Sequence, residues 1–397
     1  MKYKPLAILL LSASTSLICM AQTTAVVEDF KTTPTTQQEK KFPQVNSEGR
    51  VRVNIFAPQA FKVQLDIGAV KYDLVKDDKG VWTGESAPQD EGFHYYQLNI
   101  DGASVPDPGS LYYYGASRWG SGIEIPAKDQ DFYALKNVPH GQLRENQYFS
   151  KTSNSVRRVY IYTPPGYDKD NKKYPVLYLQ HGMGENETGW GNQGHTGLIM
   201  DNLIAEGKVT PFIIVMENSS VNFGGTPRGQ RPTGAPTAAA PAANAPRTGG
   251  AGASLAGMNF AGQFERILFD DLVPYIESNY RVIPDQAHRA MAGLSMGGMQ
   301  THSIVVANPD KFSYVGMFSS GTFSPTEIKD IESFKKTVKV IFMSFGGREV
   351  DSSKIVTTAE EWNKAGIKGV SYISPETAHE WQSWRRSLHE FAPLLFK

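Results

Sequence analysis

The feature that most constrains this chain is a set of apolar runs too continuous to be surface strands. Pro175 to Gln180, Phe212 to Met216, Ala290 to Leu294 and Val338 to Phe345 carry large apolar residues at successive positions. A strand with one wet face alternates in polarity, so an unbroken run needs cover on both faces. Helical patterns lie between these runs, including Phe264 to Asn279 and Gly298 to Ala307. Apolar strands alternating with helices predict an α/β unit with a largely parallel sheet. Reactive groups in such sheets gather at the carboxyl ends of the strands. The unit opens with Val156 to Tyr162, whose alternation predicts an edge strand, and then Pro164-Pro165-Gly166-Tyr167.

The N-terminal half follows a different rule. Val51 to Ile55, Val63 to Ile67 and Tyr95 to Ile100 alternate, and turn residues such as Asp77-Asp78-Lys79-Gly80 separate such runs. Short alternating strands at this spacing predict a small immunoglobulin-like β-sandwich over residues 45–128, ahead of the α/β unit at 139–397. At 397 residues the chain is also too long for one ordinary core. Residues 22–44 are rich in Thr, Gln and Lys and predict a flexible leader. Residues 222–257 are dense in Gly, Ala and Pro, and form either a surface insertion or a flap over the site.

The first 21 residues predict an export signal. Lys2 and Lys4 precede the apolar stretch from Leu6, and Cys19-Met20-Ala21 supplies small residues for cleavage before Gln22. The stretch is short and interrupted by Ser and Thr, so no membrane span is expected. A secreted or periplasmic protein cut after Ala21 would keep no cysteine, since Cys19 is the one in the chain. That removes disulfides, a thiol nucleophile and Cys-based metal sites. No cofactor or metal is implied. Forty basic residues balance forty acidic ones, so no global field selects nucleic acid or an anionic membrane. Function must come from local chemistry.

That chemistry centres on Gly293-Leu294-Ser295-Met296-Gly297, between an apolar run and a helical pattern. A strand–turn–helix reversal cramps the serine, and glycine on either side leaves room for it. The hydroxyl is then presented at a helix N-terminus, where backbone N–H groups favour negative charge. A serine needs a base, and His379, after the run Val370 to Ser374, is the best placed histidine. The orienting acid should fall between them, after a strand. Glu349 and Asp351 both follow the run ending at Phe345, and Glu349 is preferred as the nearer to its end. The order serine, acid, histidine is that of the α/β-hydrolases. Oxyanion donors are expected from the N–H groups of Met296 and Met183, the latter in His181-Gly182-Met183-Gly184. Trp190 and Trp381 are candidate aromatic walls for a substrate, while Trp384 and Arg385 are expected to pack the C-terminal helix.

From about Arg157 onward the chain resembles carbohydrate esterase family 1, the feruloyl and acetyl-xylan esterases related to esterase D. The resemblance rests on Tyr162-Thr163-Pro164-Pro165-Gly166-Tyr167, His181-Gly182, Ala292 to Gly298 and His379-Glu380-Trp381-Gln382-Ser383-Trp384-Arg385. It implies catalytic roles for Ser295 and His379, and feruloylated or acetylated xylan as substrate. The chain departs from the family at Val350, where many members carry the aspartate. Enterochelin esterases look similar and place a glutamate there, which again favours Glu349. The N-terminal half resembles carbohydrate-binding module family 48, on Pro106-Asp107-Pro108 and Ser121 to Pro126.

Overall fold

The computed structural model describes residues 26–220, 261–350 and 352–397. The expected signal at 1–21 and the insertion at 222–257 lie outside the described residues. The alternating runs of the N-terminal half resolve into two antiparallel sheets. β1 (Lys31–Thr32), β2 (Gln44–Val45), β3 (Val51–Phe56), β4 (Val63–Ile67), β5 (Val70–Asp73) and β6 (Val75–Lys76) come first. β7 (Val81–Glu85), β8 (Gly92–Ile100), β9 (Ala103–Val105), β10 (Tyr112–Gly115) and β11 (Arg118–Ile125) follow. One sheet runs β1-β2-β3-β7-β6; the other runs β10-β11-β8-β4-β5, with β9 on β8. Their inward residues, among them Val51, Val53, Val63, Leu65, Leu98 and Ile123, form one buried core.

The leader expected at 22–44 is not loose where it is described. Lys31–Thr32 pairs with Gln44–Val45, and Thr36 bridges to Ser110. Thr35 is buried, and its hydroxyl accepts the N–H of Glu124 at 3.3 Å. Its polar composition conceals this because side-chain hydroxyls, rather than apolar groups, fasten it.

The second half is one eight-stranded sheet. Its strands are β12 (Gln142–Ser150), β13 (Ser155–Thr163), β14 (Val176–Gln180), β15 (Ile213–Glu217), β16 (Arg289–Leu294), β17 (Tyr314–Phe318), β18 (Val340–Gly346) and β19 (Lys368–Ser374). They lie in the order β12-β13-β15-β14-β16-β17-β18-β19. From β15 through β19 every pairing is parallel, while β12 and β13 run antiparallel. Val156 to Tyr162 is therefore not an edge. β12 covers it, and β12 escaped notice because its residues are mostly polar and exposed.

The continuous apolar runs are explained by burial on two sides. Val176, Tyr178, Val215, Met291 and Met317 pack on one face of the sheet. Leu177, Leu179, Ile214, Ala292 and Phe342 pack on the other, where Phe93 of the sandwich joins them. No helix among the described residues is long and apolar enough to cross a membrane.

The two halves are joined by a buried ion pair. Arg385, on the helix Trp381–Phe391, donates from Nη1 and Nη2 to the two carboxylate oxygens of Glu124 on β11, at 2.6 and 3.0 Å. Its Nε donates to the Gln193 carbonyl at 2.7 Å, and the guanidinium lies 4.6 Å from the Tyr133 ring centre. Burial pushes the Glu124 carboxyl up, but Arg385 and His195 together outweigh it and hold it down at about 2. A carboxyl held below its ordinary value contributes stability above that value, and the contribution fades as pH falls toward about 2. Removing one partner strands the other in the interior, which costs roughly 3–5 kcal/mol. Arg385→Ala should lose about that much in urea unfolding, and the double variant Arg385→Met/Glu124→Leu should recover a large part of it.

Candidate active site

β16 ends at Leu294 and the helix Met296–Ala307 starts two residues later, so the chain reverses at Ser295. Ser295 sits at φ 51°, ψ −117°, a conformation that costs a residue with a β-carbon about 1–3 kcal/mol. Its N–H donates to the Phe318 carbonyl at 2.7 Å, which anchors the turn to β17. A β-carbon on Gly293 would lie 2.4 Å from the Gly297 carbonyl carbon. One on Gly297 would lie 2.6 Å from the His181 carbonyl oxygen. Backbone meets backbone at both positions, so only glycine fits.

The turn brings three side chains into a chain of hydrogen bonds. Ser295 Oγ is 3.0 Å from His379 Nε2, and His379 Nδ1 is 2.8 Å from Glu349 Oε2. A carboxylate facing Nδ1 favours the proton there, leaving Nε2 to accept from the serine hydroxyl. Glu349 follows β18 and His379 follows β19, so each stands at the carboxyl end of its strand. Glu349 Oε1 also accepts from Ser319 Oγ at 2.6 Å and from the Gly346 N–H at 2.8 Å. Burial pushes the Glu349 carboxyl up, yet His379, Ser319 and the Gly346 N–H together hold it below the usual glutamate range. Asp351, the alternative acid, lies outside the described residues.

Met296 opens the helix after Ser295, and Met183 lies on the loop after β14. Neither N–H has an acceptor among the described residues. A β-carbon on Gly182 would come within 3.4 Å of Ser295 Cβ, so this loop runs directly beside the serine. His181 braces its start. The Ser219 N–H donates to His181 Nε2 at 3.1 Å, so Nδ1 carries the proton and donates to the Gly182 carbonyl at 2.8 Å. Burial lowers the pKa of His181 and keeps the ring neutral.

The two expected aromatic walls need correction. Trp190 and Trp381 are only 1% and 2% exposed and offer no face to a ligand. Trp190 donates its indole N–H to the Gln180 carbonyl at 2.9 Å and meets Trp381 edge-on at 5.5 Å. Both rings support the loops from beneath, because each fills the space between the sheet and the sandwich.

Two residues of the site were not anticipated. Ser319 follows β17, a strand interrupted by Gly316 that does not read as an apolar run. Its hydroxyl donates to Glu349 and accepts the Trp384 indole N–H at 3.0 Å. The Trp384 ring stands edge-on to the His379 ring, 5.2 Å between centres. Trp384 packs its helix as expected and also braces His379 directly and Glu349 through Ser319. Among the described residues, no group of three or more His, Cys, Asp or Glu side chains could hold a metal ion.

The fold is that of the α/β-hydrolases, with a β-sandwich in front. The enterobactin esterase of Shigella flexneri shares it at a TM-score of 0.58 and 13% identity, over 87% of this chain and 92% of that one. A ferulic acid esterase from Anaeromyces mucronatus superposes at a TM-score of 0.51 and 21% identity, over 68% and 96%. The Esterase family, described as "Putative esterase", matches residues 150–394. This chain belongs to that family. It is 43% identical over 382 residues to an endo-1,4-beta-xylanase/feruloyl esterase of Xylanibacter ruminicola, covering 93% of this chain and 48% of the relative. Endo-1,4-beta-xylanase Y of Acetivibrio thermocellus is 28% identical over 61% of this chain and 22% of its own length. The chain thus spans half or less of the length of these relatives.

Ser319→Ala removes one donor to Glu349 and the acceptor of the Trp384 indole. A hydrogen bond to a charged group is worth about 1.5–3 kcal/mol, so kcat on a small aryl ester should fall roughly 10- to 100-fold. KM should change little, as steady-state kinetics would show.

Proposed function

We propose that this chain is a secreted serine esterase acting on esterified plant cell-wall polysaccharide, with the feruloyl ester of arabinoxylan as preferred substrate. The observation that carries this reading is the relay from Ser295 Oγ through His379 to Glu349, at 3.0 and 2.8 Å. Ser295 attacks the ester carbonyl while His379 Nε2 takes the hydroxyl proton. The carbonyl oxygen becomes an anion facing the free N–H groups of Met183 and Met296. On collapse, the bond to the sugar oxygen breaks and His379 returns the proton to it. Water then repeats the attack on the acyl-serine and releases the acid. Glu349 holds the imidazole tautomer and offsets the charge of the imidazolium. Each oxyanion donor contributes about 2.7–4 kcal/mol in comparable sites.

Support for the feruloyl ester comes from the 43% identical relative, whose name includes that activity. Acetylated xylan is the next candidate ester. A siderophore ester is the second reading, favoured because the likeness to the enterobactin esterase covers 87% of the chain and so includes the sandwich. A glycan-binding protein without catalysis is a third reading, and the 2.8 Å contact between Glu349 and His379 supports catalysis over it. The segment from Lys2 to Ala21 supports export.

Methyl ferulate, acetylated xylan and linear enterobactin, offered to the purified protein, should be hydrolysed in that order of kcat/KM. Preference for enterobactin would replace the main reading. Ser295→Ala should abolish turnover with the melting temperature retained. Glu349→Ala should lower kcat by about 10³- to 10⁴-fold and Asp351→Ala by little.

A further inference from the structure

The sandwich reaches the active-site loops through one hydroxyl. Tyr95, on β8, places its OH 2.8 and 3.0 Å from the two carboxyl oxygens of Glu185. Gln193 Nε2 donates to the same oxygen at 2.6 Å, and the Trp381 indole N–H donates at 3.3 Å. A phenol has one proton to give and two lone pairs to accept with. All three are used here, each by a different element. Glu185 closes the turn that carries Met183, and Trp381 stands two residues after His379. Gln193 follows the short helix Gly189–Asn192 and also donates to the Tyr114 carbonyl at 2.8 Å.

A second contact secures the loop. The Ser117 N–H, at the β10–β11 turn, donates to the Gly184 carbonyl at 2.8 Å. Gly184 has φ 78°, and the Glu185 N–H closes onto the Gly182 carbonyl at 3.2 Å. Met183 is therefore held in a four-residue turn whose far end rests on the sandwich. Gly115 makes room for this arrangement, since a β-carbon there would overlap the Tyr95 ring, 2.2 Å from its hydroxyl oxygen.

We propose that Tyr95 and Glu185 are positioning residues, which set the Met183 N–H and His379 at their working separation across Ser295. The inference rests on the reading of Ser295 as nucleophile and Met183 as oxyanion donor. It makes the sandwich part of the catalytic unit. Glu185 is enclosed, and burial pushes its carboxyl up to about 8 despite the donors from Tyr95 and Trp381. Tyr95 is the one titratable group hydrogen-bonded to it among the described residues. The other partners are the neutral amide of Gln193, with the indole of Trp381 and the Tyr114 carbonyl alongside. Burial and the neighbouring Glu185 charge raise the Tyr95 pKa well above its ordinary value, so the phenol stays neutral. Losing the Glu185 proton as pH rises through about 8 leaves a buried anion with no cation beside it. The loop can relieve that only by moving toward water.

The test compares wild type, Tyr95→Phe, Glu185→Gln and Ser295→Ala in the full chain. Tyr95→Phe should lower kcat on methyl ferulate roughly 10- to 100-fold with KM little changed, the size expected for losing a shared buried hydrogen bond. Its amides at 182–187 and 378–381 should exchange with deuterium faster than in wild type, while those of β3 and β4 do not. Wild-type kcat should decline as pH rises through about 8, and Glu185→Gln, which cannot ionise, should lack that decline. Wild-type kcat and exchange in Tyr95→Phe would overturn the proposal, as would faster exchange with kcat intact. An alkaline decline shared by Glu185→Gln would remove the role of its proton. Turnover by Ser295→Ala would sink the nucleophile reading alone, because the exchange comparison still decides whether Tyr95 ties the loops.

Discussion

A two-pronged ion pair between Glu124 and Arg385 is the interaction on which the rest of this structure depends. It joins the last strand of the sandwich to the helix that follows His379, across 261 positions of sequence. Neither side chain meets solvent to any extent that would repay desolvation, so the pair is tolerable only with its geometry complete. Arg385 completes it by also donating to the Gln193 carbonyl and lying over Tyr133. The same helix carries Trp381 and Trp384, so fixing Arg385 also fixes the Trp384 ring that stands against His379. Asp129 adds a partly exposed pairing with the adjacent Arg386.

From that anchor the strain at the site becomes intelligible. Ser295 and Ser319 both hold positive φ values, 51° each, at the ends of adjacent parallel strands. Such conformations persist only where the surroundings over-determine them. Here the Ser295 N–H is taken by Phe318 and the Ser319 N–H by the Ser344 carbonyl, each at 2.7 Å. Each strained residue is thus tied to the neighbouring strand. The ties pass from β16 to β17 to β18, and the Ser319 hydroxyl carries them on to Glu349. Ser295, Glu349 and His379 each follow a strand of this sheet, so the sheet sets their spacing.

The sequence made some of this legible for definite reasons. Ser295 could be read because its glycines, preceding strand and following helix state one geometric demand together. His379 could be read from chain order and its place after a strand. The acid could not be settled so directly: Glu349 and Asp351 are two residues apart, and only the turn at Gly346 shows that Glu349 reaches Nδ1. Trp190 and Trp381 misled because a tryptophan near a reactive loop reads the same whether it faces ligand or core. β12 was missed because an edge strand needs little apolar character, and β17 because Gly316 interrupts it. Ser319 went with β17. The Tyr95 hub was invisible, since its three partners lie 90, 98 and 286 positions away.

The distance in sequence between Glu124 and Arg385 also bears on the order of events during folding. A chain made from its N-terminus can close the sandwich early, because β3 to β11 span neighbouring residues. It then holds Glu124 without Arg385 until the helix Trp381–Phe391 forms. Contacts of such long range form late and slowly. The contact between Ser295 and His379, two residues before that helix, therefore also waits on residues far along the sequence. A chain cut before Trp381 would carry the Gly293–Gly297 turn with no Trp384 ring standing against His379.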